Sequence, residues 1–304
     1  MTRIGLVDLD TSHPKTFTKI LNAMPGVKVN ALWDGRDVWP EGYDERFAKE
    51  NEIPNVCKRL EDMLEHVDAV MIHGVNWDKH VDRAYPFLEA GKPVLIDKPM
   101  VGKVRDIYTL LELHVQHGTP VYGGSALRYA QEIGMIRSQA DRVGEVSTAI
   151  ATGPGDFFSY GIHTTELAQG MVGTGANYVE YVAENKSSFV AVTYHNGFVL
   201  MLQLQQPFHE WSMCLFSSTG MHTLRVDPTR IYEPFLQNFI NIVDKKDVSF
   251  SLEAPLEAVK ILIAAKLSRQ HGGKIYLSEV PAEEGFDGAA YAAEYAAAKR
   301  RGGS

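Results

Sequence analysis

The chain has 304 residues, 45% of them hydrophobic and 22% charged, with a formal net charge of -8. That length allows two domains and a sizeable core, and the composition is that of an ordinary soluble protein. The acidic balance argues against nucleic acid as a partner, and no apolar run approaches the roughly 18 residues of a membrane helix.

Cys57 and Cys214 have no cysteine near them in sequence, which predicts two packed thiols in a reducing cytoplasm rather than a bridge. Met1 is followed almost at once by the apolar run Ile4-Gly5-Leu6-Val7, so no signal peptide is expected.

In chain order, Ile4 to Leu9 reads as a strand and His13 to Met24 as a helix. Val27 to Trp33 is a second strand, followed by a helix over Tyr43 to Glu52, a short strand at Val56 to Lys58 and a helical turn from Leu60 to His66. Ala69 to His73, Val94 to Ile96 and Val121-Tyr122 read as further strands, separated by helices over Trp77 to Ala90 and Ile107 to His117. Strands alternating with helices at this spacing predict a doubly wound, mostly parallel sheet over residues 1–123.

From residue 124 the pattern changes. A helix over Glu132 to Asp141 precedes β-rich runs at Val146 to Ala151, Tyr178 to Ala183, Phe189 to Tyr194, Phe198 to Gln205, Ser212 to Ser217 and His222 to Val226. Asn196-Gly197 is a strong hairpin signal between two of them. Helices over Glu233 to Val243 and Leu256 to His271 follow, then an alanine-rich helix over Ala289 to Lys299. Arg301 to Ser304 are expected to be disordered. The reading is an α/β fold: an N-terminal Rossmann-type parallel sheet, and over 124–304 an α+β domain with an open, largely antiparallel sheet. Val190, Val192, Leu200, Leu202 and Leu204 supply one buried face of that sheet; its other face is a candidate homodimer surface.

The most informative stretch runs from Glu89 to Pro99. A helix ends at Gly91, Val94-Leu95-Ile96 forms a buried strand, and Lys98 sits at that strand's carboxyl end. In an open α/β sheet ligands bind at this edge, where a half-desolvated lysine can act as a proton donor or acceptor. The run resembles the "AGKHVLCEKP" segment of the Gfo/Idh/MocA family of dinucleotide-dependent sugar and polyol oxidoreductases, with Asp97 in place of the usual Glu.

That resemblance extends along nearly the whole chain. It implies hydride transfer between NAD and a sugar- or polyol-like carbinol carbon, with a small-molecule substrate and a homo-oligomeric, cytoplasmic enzyme. Asp34, ending the second strand, falls where an acidic side chain accepts hydrogen bonds from the adenosine ribose, favouring NAD over NADP. By itself it is a common turn residue. Asn76 and His80 fall on a loop that runs beside the nicotinamide, although the family's Thr-Pro is absent and His80 could simply open a helix. Arg128, followed by Tyr129, falls on a cleft arginine that fixes substrate; a structural salt bridge is the other reading. Tyr160-Gly161-Ile162-His163-Thr164-Thr165-Glu166-Leu167 resembles the segment bearing the catalytic histidine. The resemblance makes His163 the general acid or base, Lys98 its modulator, Tyr160 a cleft residue and Glu166 an orienting carboxylate or a helix cap. The family aspartate four residues before the histidine is Ser159 here, with Asp156 as a possible substitute.

The break comes at the first turn. In place of G-x-G-x-x-G the chain reads Gly5-Leu6-Val7-Asp8-Leu9-Asp10-Thr11-Ser12-His13-Pro14. Two carboxylates beside a pyrophosphate are unfavourable, by about 4 kcal/mol per close pair at an effective dielectric of about 20. Three readings follow. NAD binds a rebuilt loop in which Thr11, Ser12 and Lys15 take over; a divalent metal binds Asp8, Asp10 and His13, joined by His73; or the fold senses a ligand without catalysis.

Overall fold

The computed structural model describes residues 1–246 and 250–302. The first layer is built from β1 (Thr2–Val7), α1 (His13–Ala23), β2 (Val27–Trp33), α2 (Tyr43–Glu50), β3 (Asn55–Val56), β4 (Ala69–Ile72), α3 (His80–Glu89), β5 (Val94–Asp97), α4 (Val104–His117) and β6 (Val121–Gly124). Its six strands are all parallel, in the order β3-β2-β1-β4-β5-β6. The order reverses beside β1, which makes the carboxyl ends of β1 and β4 the crevice of a doubly wound sheet.

The central strands are apolar runs because helices cover both faces. Ile4, Leu6, Val70, Ile72, Leu95 and Ile96 are fully buried. Gly5 has no room for a side chain: a Cβ there would lie 2.6 Å from Met63 Cε. In α1 the buried positions Pro14, Phe17, Thr18 and Leu21 recur at helical spacing and face the sheet.

Two expected boundaries differ informatively. β1 stops at Val7, not Leu9, because Asp8 turns into the left-handed region with φ 65°. The expected helix over Trp77 to Ala90 starts as a 3₁₀ turn, Trp77–Lys79, before α3.

Beyond β6 come α5 (Gln131–Arg137), α6 (Ala140–Val143), β7 (Val146–Pro154), α7 (Gly161–Val172), β8 (Ala176–Glu184), β9 (Ser188–Tyr194), β10 (Val199–Gln206), β11 (Ser212–Ser217), β12 (Gly220–Arg225), α8 (Tyr232–Val243), α9 (Glu253–His271), β13 (Lys274–Tyr276) and α10 (Gly288–Gly302). The second sheet runs β12-β11-β7-β10-β9-β8-β13, antiparallel except for the parallel pair β10–β7. β9 and β10 meet across Asn196-Gly197, and all five predicted inward residues, Val190, Val192, Leu200, Leu202 and Leu204, are fully buried. The single helix expected over Glu132 to Asp141 is two, α5 and α6. Cys57, just after β3, and Cys214, in β11, are both free.

The last helix departs most from expectation. α10 continues through Arg301 and Gly302, residues expected to be disordered; Gly303 and Ser304 lie outside the described residues. It returns to the first layer, where Ala292 and Ala296 pack with Val38 and Val75. Those two valines follow β2 and β4, so α10 lies over the carboxyl edge of the parallel sheet.

Candidate active site

A cavity of about 210 Å³ opens at that edge, between the two sheets. Its walls include Thr11, Ser12 and His13 from the turn after β1, His73 after β4, Asp97 and Lys98 after β5, and Tyr160 and His163 around the start of α7. Trp211, Tyr232, Tyr291 and Tyr295 close the remaining sides.

Lys98 Nζ donates to the Ser159 carbonyl at 3.2 Å and lies 5.4 Å from the Tyr160 ring centroid. Burial lowers its pKa, against the pull of Asp97, Asp156 and Glu166. His163 Nδ1 is 2.6 Å from Ser125 Oγ, and its ring meets Trp211 edge-on at 5.6 Å. Burial, and next the Lys98 cation, hold His163 well below the ordinary histidine range, so at neutral pH it is an uncharged imidazole. Lys98, His163, Tyr160, Thr11 and Ser12 are therefore brought together.

The other expected residues lie elsewhere. His80 is fully buried, its ring nitrogens 3.0 Å from the Met100 carbonyl and 2.8 Å from that of Gly74, so it ties two loops together behind the cavity. Lys15 points to solvent. Asn76 is buried under the start of α10, where a Cβ on Gly288 would come within 2.8 Å of its Oδ1. Arg128 takes the salt-bridge reading: Nε donates to Glu166 Oε2 at 3.1 Å and Nη2 to Gln169 Oε1 at 2.8 Å. Glu166 does not touch His163. It accepts from Arg128 and from the Ser125 amide at 2.9 Å, and so orients the histidine only through Ser125. Asp156 does not replace the missing aspartate, because it caps its own loop through the Phe158 and Ser159 amides and Ser159 Oγ.

The acid-bearing turn folds inward. Asp8 Oδ2 accepts from Arg83 Nη1 at 2.5 Å and Oδ1 from the Gly35 amide at 3.0 Å, while Arg83 Nη2 reaches Asp37 at 2.8 Å. Asp10 Oδ2 accepts from the Val75 amide at 2.8 Å; its Oδ1 has no partner. Burial pushes Asp8 up to about 7, against Arg83, and Asp10 up to about 8, with Asp8 adding to the rise. The imagined metal set does not converge, since Asp8 faces Arg83, Asp10 faces Val75, and His13 and His73 both face Asp97. Among the described residues no group of three potential ligands is placed to hold a metal ion.

Residues 11–125 match a family model, GFO_IDH_MocA, described as "Oxidoreductase family, NAD-binding Rossmann fold". Over this stretch the chain is similar to the Gfo/Idh/MocA family. The match begins at Thr11, after Asp8 and Asp10, and takes in the carboxyl ends of β2 to β6 together with Lys98. Comparison with curated proteins finds no match.

Among solved structures, the fold is shared with scyllo-inositol dehydrogenase from Lactobacillus casei with bound NAD(H) and scyllo-inositol. The two are 17% identical over 92% of this chain and 100% of that one, with a TM-score of 0.79. Myo-inositol dehydrogenase from the same organism, in complex with NAD(H) and myo-inositol, is 15% identical over 91% and 96% of the two chains, with a TM-score of 0.79. Myo-inositol 2-dehydrogenase from Lactobacillus plantarum is 15% identical over 90% and 99%, with a TM-score of 0.77.

The family's cofactor is NAD, and the two ends of the crevice suit it differently. The cavity around Lys98 and His163 is a recess of mixed polar and aromatic lining, large enough for a ring-sized group. The adenosine end does not fit as arranged. The Gly35 and Val75 amides are spent on Asp8 and Asp10, and Asp34 is buried with Oδ1 on the Arg36 amide. Ala292 and Ala296 of α10 fill the groove between the loops after β2 and β4. A whole dinucleotide requires α10 to move.

Several cavity residues escaped the sequence reading. Tyr232, Tyr291 and Tyr295 come from distant segments and carry no local motif. Asp97 was visible as a departure from the family Glu, and His13 as the residue at the third glycine position; neither fact by itself pairs them.

Proposed function

We propose that the protein is an oxidoreductase acting on a hydroxyl or carbonyl of a polyol-like substrate, with NAD preferred over NADP. The observation carrying this reading is that Lys98 and His163 meet in one cavity at the carboxyl edge of a domain whose family binds NAD. The inositols bound by the structural neighbours, together with a small recess lined by polar and aromatic side chains, support a cyclitol or sugar ring. Hydride acceptance is the chemistry the family's cofactor brings; the side chains supply the rest. His163, an uncharged imidazole with Nδ1 engaged by Ser125, accepts the substrate hydroxyl proton on its other nitrogen. Lys98 keeps two ammonium protons beyond the one given to Ser159, and with these it holds the substrate oxygen. Once α10 has left the groove, Asp34 would disfavour a 2′-phosphate. The division into residues 1–123 and 124–304, a cytoplasmic location and a homodimer formed through the open face of the second sheet belong to the same proposal.

The test is a thermal-shift titration with NAD and NADP, followed by turnover of myo-inositol. NAD should raise the melting temperature more than NADP does. His163→Ala should abolish turnover and keep the NAD shift; an equally active variant removes His163 from the reaction. The covered adenosine groove favours one second reading, a nucleotide-free polyol sensor. It predicts a shift with the polyol alone and none with either nucleotide.

A further inference from the structure

His163 lacks the carboxylate partner that its family position calls for, and another histidine of the cavity has one. His13 opens α1, and its Nδ1 lies 2.5 Å from Asp97 Oδ2 at the end of β5. The same oxygen receives His73 Nδ1 at 3.1 Å, and Asp97 Oδ1 accepts the Lys98 amide at 2.8 Å. Burial works against the Asp97 charge, but His13 and His73 outweigh it and keep the carboxyl well below its usual range. With Nδ1–H given to a carboxylate, the His13 lone pair is on Nε2, which faces the Tyr232 hydroxyl at 3.2 Å on the cavity wall. Phe17 stacks under the imidazole at 4.9 Å and Tyr232 meets its edge at 5.3 Å, so packing fixes the ring's orientation. Lys98 lines the same cavity with two free ammonium protons.

A fixed base and a cation on one small cavity are what enolisation requires: one group takes a proton from carbon, the other meets the charge that develops on oxygen. We propose that this cavity exchanges the proton on a carbon next to the carbonyl of a polyol-sized ketone, without any nucleotide, using His13 held by Asp97 as the base and Lys98 as the oxyanion partner. In the step, the carbon–hydrogen bond breaks and its proton goes to His13 Nε2, or to the Tyr232 oxygen as Tyr232 passes its own proton to Nε2. The electron pair forms the carbon–carbon double bond, and the carbonyl oxygen becomes an enolate against Lys98. Return of a proton to the same carbon restores the ketone, so no oxidant or reductant is consumed. The activity goes beyond the oxidoreductase reading and does not need the groove beneath α10.

The test mixes the full-length protein with an inosose, the ketone of an inositol, in deuterium oxide without nucleotide, and follows loss of the proton NMR signal next to the carbonyl. Wild type should exchange it faster than buffer alone. His13→Asn, whose amide nitrogen takes the place of Nδ1 and can still donate to Asp97, should lower the enzymic rate by about a hundredfold or more. A wild-type rate equal to buffer overturns the proposal, as does an unchanged rate in a folded His13→Asn. If that variant does not fold, Lys98→Met decides: a loss of tenfold or more supports the assignment, and an unchanged rate overturns it. NADH-dependent reduction of the same inosose, measured separately, reports on the oxidoreductase reading whichever way exchange falls.

Discussion

Arg83 Nη1 lies 2.5 Å from Asp8 Oδ2, the carboxylate out of contact with water and the arginine nearly so, at the turn where a dinucleotide fold ordinarily carries glycine. The guanidinium also bonds Asp37, and it occupies the space that side chains on Gly35 and Gly74 would need. Arg83→Met removes the cation and leaves Asp8 uncompensated. The expected cost is about 3–5 kcal/mol, read as a lower urea midpoint at unchanged slope. A loss below about 1 kcal/mol would mean that Asp8 is protonated and needs no partner.

Covering of the adenosine groove by α10 makes a second prediction. Ala292 and Ala296 are the helix's buried contacts, so Ala292→Glu combined with Ala296→Glu should lift α10 from Val38 and Val75. The variant should bind NAD more tightly than wild type, seen as a larger thermal shift at equal nucleotide concentration. An equal shift would show that the helix does not compete with the nucleotide.

Asp10 makes stability depend on pH. Its pKa is about 8 folded and about 3.9 unfolded, so between those values the folded chain keeps a proton that the unfolded chain has lost. Stability from this group is therefore highest below about pH 4 and falls as pH rises toward 8, by at most about 1.4 kcal/mol per pH unit. Asp10→Asn should flatten the melting-temperature slope between pH 5 and 8, roughly the span of a standard buffer series. An unchanged slope would place the titration elsewhere.

Arg128 separates a clamp from a strut. It is bonded to Glu166, a buried carboxyl that burial pushes up to about 7 against the pull of Arg128. Arg128→Leu should lower stability by about 3–5 kcal/mol while KM for the polyol changes little. A raised KM with intact stability would return the arginine to substrate binding.

Much of the fold was legible because the signals are local. The apolar runs at β4 and β5, the Asn196-Gly197 turn and the alternation at Val190, Val192, Leu200, Leu202 and Leu204 each carry their own periodicity. The parallel pair β10–β7 was not legible, since strand direction depends on the long path between them. At the site, Lys98 and His163 were readable from motifs. The inward turn of Asp8 was not, because its partner Arg83 lies 75 residues away on α3. The path of α10 was missed for a related reason: small alanines suit close packing against a surface that only the folded chain presents.

The return of α10 also changes how the two layers can move. The chain crosses between them once after β6 and again near Phe286, where its amide donates to the Gly102 carbonyl and its carbonyl accepts from Trp77 Nε1. Val104 and Arg105 bond the same returning strand at Glu284 and Ala282. Two crossings confine any relative motion of the layers to rotation about the line that joins them. Ligand entry then draws on side chains, on the returning helix and on that single rotation, as a door turns on two hinges.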